Sequence, residues 1–200
     1  VLRLPYVLPA VLAMVLATGA WFAFITYIGA FYDQVYGLPP AELSLVLAVL
    51  GIAYFVFGAV NGPIAKVLGD RNQALVTSVL SGVVIIPFVL TRTLLPLSLI
   101  FLIVVAGMRA LNLSSFQTLM LGLAPEHRGT ILAVTSALFQ VGVMAGAGLG
   151  GAAIQTGGAL VGDGYLAFGI LILGLATASS GLVLFGVPSQ PQSVEAPASS

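Results

Sequence analysis

The chain has no cysteine, a single histidine (His127), and only 6 acidic and 6 basic residues among 200. Without cysteine there are no disulfides, no thiolate nucleophile and no cysteine-ligated metal. One histidine leaves no histidine cluster for a metal. Paired catalytic carboxylates and a Ser-His arrangement are lacking as well, which argues against an enzyme. The charges sum to zero, so there is no basic field for nucleic acid and no acidic tail. Charged residues make up 6% of the chain, against about 25% in soluble domains. With 60% hydrophobic residues and a mean hydropathy of +1.16, there are too few polar side chains to cover a water-facing surface. The composition is that of an integral membrane protein whose principal partner is the lipid bilayer. No cofactor or metal is expected.

What the chain has in abundance is long apolar runs. About 20 apolar residues cross the hydrocarbon, and splitting at charges and turn residues gives six spans. They run near Leu4–Tyr32, Ala41–Asn61, Gln73–Leu90, Leu94–Leu121, Thr130–Gln155 and Tyr165–Val187. The first follows Arg3 but is far longer than the roughly 7–15 residues of a signal-peptide core. The fold class is therefore all-α, a polytopic bundle over residues 1–187. The polar, Ser- and Pro-rich stretch 188–200 reads as a disordered cytoplasmic tail.

Arg3, Lys66, Arg71 and Arg128 fall on one side of the spans. The other side has Arg92 with Asp33, Glu42 and Asp163. The excess of positive charge places both termini in the cytoplasm of a plasma (inner) membrane. Asp70 and Gln73 have the spacing of a capping box at the start of the third span. Pro39, Pro40 and Glu42, like Pro125 and Glu126, suit first helical turns.

Several positions carry functional expectations. Arg109 falls mid-way along the fourth span, where a charge costs at least about 2.5–3.5 kcal/mol on insertion scales and faces an interior cavity or a partner. No carboxylate lies inside a span, so a proton-titrating group is absent from these helices. Candidate partners of Arg109 are Asn112, Ser115 and Gln140. An anionic substrate group, a carboxylate from another six-helix half, or backbone carbonyls and water are the alternatives. Trp21, Phe22, Phe24 and Tyr27 can line an apolar pocket or meet lipid, and Tyr32 can anchor at the outer interface. Gly142, Gly146, Gly148, Gly150 and Gly151 on the fifth span allow close helix approach.

Three stretches carry a resemblance. Gly69-Asp70-Arg71 matches the end of the Gly-x-Leu-Ala-Asp-Arg loop between the second and third spans of a major facilitator superfamily half, with Asn72, Gln73 and Ala74 in place of the usual Gly-Arg-Arg. Pro125 to Gly129 resembles the Pro-x-x-Arg-Gly junction between its fourth and fifth spans. Gly146 to Gly151 is similar to the Gly-Pro-x-x-Gly-Gly signature of antiporters, with Ala147 in place of Pro.

The resemblance implies a secondary transporter of small organic solutes (drug-, sugar- or metabolite-efflux-like) working by alternating access. Gly62, Lys66, Gly69, Asp70 and Arg71 would form a conformational latch, with Gly62 allowing close helix approach. Such carriers have twelve spans in two halves with substrate between them, and this chain resembles one half, the C-terminal one. The first residue, Val1, favours a fragment of a longer chain over a half-size protein that pairs with a second copy. The competing reading is a six-helix scaffold or assembly subunit that transports nothing.

Overall fold

The computed structural model describes residues 6–123 and 125–188. Arg3, the expected start at Leu4 and the expected tail beyond Pro188 lie outside them. Among the described residues every regular element is helical: α1 (Val7–Tyr36), α2 (Pro40–Ala59), α3 (Asn61–Leu68), α4 (Asp70–Leu90), α5 (Leu95–Leu123), α6 (Arg128–Val161) and α7 (Gly164–Gly186). All but α3 are long and apolar enough to cross a membrane, which gives the expected six spans.

Four local expectations are corrected. The second connection is not an open loop, because α3 occupies most of it, with Pro63 in the first turn where its missing N–H is not needed. Gly62, expected to permit close helix approach, is exposed and has nothing within 4 Å of where a Cβ would stand. The capping box does not form, for the cap of α4 is Gly69, at φ 75°, and Asp70 is already the first helical residue. An acceptor one position late cannot reach the free N–H groups. Gln73 turns inward instead, where its Nε2 donates to Asn61 Oδ1 at 2.5 Å and to the Leu111 carbonyl at 3.3 Å. Finally, α6 runs six residues past the expected Gln155, to Val161. Gly157 lets Ala167 of α7 approach it closely, and the helix stops only at Gly162, which takes the left-handed conformation at φ 77°.

Helix α1 is the most buried span and α2 and α6 are the least. Two apolar clusters fill the bundle. One gathers Phe24, Phe31, Phe88, Leu102 and Phe168; the other gathers Val11, Met14, Phe116, Met120 and Val183. Between them, at matching heights on four helices, lie Thr18, Ser78, Arg109, Asn112 and Ser179, all buried. The core is thus two greasy layers with a polar layer between.

Both ends of the bundle are tied across helices. At one end Arg71 Nε donates to the Val187 carbonyl at 2.7 Å and Nη2 to the Leu184 carbonyl at 2.8 Å, closing the free C-terminus of α7. At the other, Asp163 caps α7 by accepting from the N–H groups of Tyr165 and Leu166 at 2.8 and 3.1 Å. Its second oxygen meets Arg92 Nη2 at 2.5 Å, and Tyr36 donates to the Thr91 carbonyl nearby.

The hydrogen bond from Arg92 holds the Asp163 carboxyl below the ordinary carboxylate range. A depressed carboxylate stabilises the fold above its unfolded pKa of about 3.9 and loses that contribution as pH falls through the folded value. Asp163→Ala removes cap and ion pair and is expected to cost about 1–2 kcal/mol near pH 7. Asp163→Asn keeps a capping oxygen and costs less. Thermal melts in detergent check the order, and the gap between wild type and Asn narrows in acid below about pH 3.9.

Candidate functional site

Arg109 is the central residue of α5 and is 5% exposed. Its Nη1 donates to Asn112 Oδ1 at 3.1 Å, one helical turn on, where the i,i+3 spacing puts both on one face. Its Nη2 donates to Thr18 Oγ1 of α1 at 3.2 Å. Asn112 in turn aims its Nδ2 at α4, within reach of the Ala74 carbonyl (3.1 Å), Thr77 Oγ1 (3.0 Å) and Ser78 Oγ (2.8 Å). The Thr77 hydroxyl gives its own proton to the Gln73 carbonyl, so it is free to accept. A single connected set of hydrogen bonds therefore joins α1, α5 and α4 at mid-bundle.

That set is electrically incomplete. Among the described residues the one salt bridge is Arg92–Asp163, and no carboxylate meets Arg109. Its Nε is buried without an acceptor. The guanidinium also lines a cavity of about 30 Å³ together with Trp21, Phe24, Ser78, Ser81 and Asn112. A water needs about 10–15 Å³ on this measure, so the cavity holds about two. Binding sites for organic ligands run to about 300–1,000 Å³.

The structure brings four of the residues expected at a pocket to this cavity: Arg109, Asn112, Trp21 and Phe24. It separates the others. Ser115 is buried but donates to the Leu111 carbonyl of its own helix at 3.0 Å. Gln140 is exposed on α6 and is not among the groups bonded to Arg109. Tyr27 faces α6, donating to the Ala147 carbonyl at 3.0 Å. Thr18, Ser78 and Ser81 were not anticipated. The signal available for them was a hydroxyl at mid-span, a residue type that hydrogen-bonds between helices in lipid.

The glycines of α6 divide by face. A Cβ on Gly146 would run into the Gly19 carbonyl of α1, one on Gly142 would stand 2.8 Å from the Val15 carbonyl, and one on Gly150 would stand 3.2 Å from Ala23. Gly151 lies against the Tyr27 hydroxyl, whereas Gly148 has open space. Gly142, Gly146 and Gly150 are thus a seam on which α1 lies. In the second connection Lys66 is exposed, Gly69 and Asp70 begin α4, and Arg71 is fastened to α7.

Gly146→Leu forces side-chain atoms against backbone that cannot yield, and is expected to destabilise by about 3 kcal/mol or more, the upper end of overpacking costs. Gly148→Leu meets nothing and should melt within a few degrees of wild type. Equal melting temperatures for the two variants would remove the seam.

Six spans, a glycine seam and a buried charged residue at the middle of a span are the parts a membrane carrier is built from. A family model described as Major Facilitator Superfamily matches residues 10–200, nearly the whole chain. No curated protein and no solved structure matched. The chain belongs to the Major Facilitator Superfamily and is a membrane transporter of that family.

Proposed function

We propose that the chain is one six-helix half of a secondary carrier that moves small organic solutes by alternating access, with the Arg109 layer at its centre. The observation that carries this reading is the size of the cavity. At about 30 Å³ it is roughly a tenth of the smallest organic-ligand site, so a solute-sized site needs walls from a second six-helix unit. The exposed apolar faces of α2 (Leu45, Ile52, Phe55) and α6 (Val141, Met144) leave room for such a unit or for lipid. It would be covalent in a longer chain or a second copy, and the present chain would be the C-terminal half.

Lys66, Arg71 and Arg128 lie at one end of the bundle and Arg92 at the other. Placing the first end in the cytoplasm sets both termini there, in a plasma (inner) membrane, by the positive-inside tendency. Efflux is the direction that the antiporter-like stretch Gly146–Gly151 suggests.

In vesicles reconstituted with the protein, solute flux should fall at least about tenfold in Arg109→Ala, the loss of a charge-assisted contact being worth about 1.5–3 kcal/mol, while the variant still inserts. Unchanged flux kinetics would remove Arg109 from the transport path. Absence of flux in the wild type across solute classes would favour a scaffold.

A further inference from the structure

The Arg109 side chain sits in the middle of the bundle, and among the described residues it has no negative partner. The acidic residues among the described ones, Asp33, Glu42, Asp70, Glu126 and Asp163, all sit in terminal turns or connections. Thr18 and Asn112 give neutral oxygens to two of the three guanidinium nitrogens. The third, Nε, is buried with no acceptor. A desolvated cation with an unmet N–H is costly unless something satisfies both. Water can meet the N–H but cannot balance the charge.

The cavity beside the guanidinium fixes what can. With about 30 Å³ of space, it admits a group the size of one or two waters. That suits a halide ion or a single carboxylate head, and is too tight for a bulky phosphate ester. The Asn112 amide is already committed to α4, which leaves the Arg109 guanidinium, with N–H groups to spare, as the charged donor lining the cavity.

We propose that the cavity between α1, α4, α5 and α7 is a binding site for a singly charged anion, held by Arg109. The anion is either a free halide or the carboxylate of a small solute. The second source rests on the carrier reading; the first does not.

Trp21 is the only tryptophan in the chain and lines the same cavity, so its fluorescence reports on occupancy. The purified full chain in detergent is titrated with sodium bromide, a heavy-atom quencher, at ionic strength fixed with sodium sulfate. The expected result is a saturable quenching component that caesium, a cationic quencher, does not produce. Displacement by chloride alone identifies a halide site, and displacement by acetate identifies a carboxylate site. Arg109→Gln should weaken the apparent bromide affinity by about tenfold or more, and Arg109→Lys should retain part of it.

Quenching by bromide that stays linear in the wild type would overturn the proposal without any variant being needed. Saturation unchanged in Arg109→Gln, or displaced by neither anion, would also overturn it. Solute flux from the same preparation separates the two readings. Flux without a saturable component removes the anion site alone, and a saturable component without flux, in protein taken from its native membrane together with its second six-helix unit, removes the carrier reading alone.

Discussion

A guanidinium held at mid-bilayer by neutral partners is the constraint around which the bundle is arranged. Arg109 sits in a polar layer between two apolar clusters, in surroundings where a hydrogen bond is stronger than in water and a missing one costs more. Asn112 and Thr18 hold two of its nitrogens, and through the Asn112 amide, within reach of the Ala74 carbonyl, Thr77 and Ser78, the charge is anchored to α4. A one-residue slide of α1 or α4 would break these bonds together. The layer therefore fixes the register of α1, α4 and α5, which apolar packing in lipid specifies poorly because lipid tails are as apolar as the side chains.

The remaining contacts tie the other helices to that register. Gly142, Gly146 and Gly150 bring α6 against α1 at backbone distance, so dispersion between closely spaced atoms takes the place of a hydrophobic driving force. Arg71 fastens α4 to the end of α7, and the Arg92–Asp163 pair fastens the α4–α5 and α6–α7 connections at the opposite end. In the proposed carrier, rocking of this unit against a second one about a central site is the motion alternating access requires.

The six spans were legible because twenty or so apolar residues in a row have few other uses. Arg109 with Asn112 was legible because three residues along a helix bring two side chains onto one face. The Thr18 contact was not, since it joins positions 91 apart and depends on how α1 is rotated. Gln73 shows a local rule losing to a tertiary one. Its spacing from Asp70 fits a capping box, yet Gly69 takes the cap and the amide goes to Asn61 and Leu111. Asp163 was read only as an outer charge, although Asp ahead of an apolar run is a common N-cap. The length of α6 was missed because Gly157 and Gly158 look like a loop in sequence. In the bundle Gly157 serves a close helix contact instead.

The central claim is that these six helices work only with six more. The direct measurement is the intact mass and oligomeric state of the protein taken from its native membrane and shown to carry solute. The account predicts a twelve-helix particle, either one covalent chain near twice 20.4 kDa or a dimer of 20.4 kDa chains. A 20.4 kDa monomer with full transport activity would contradict it.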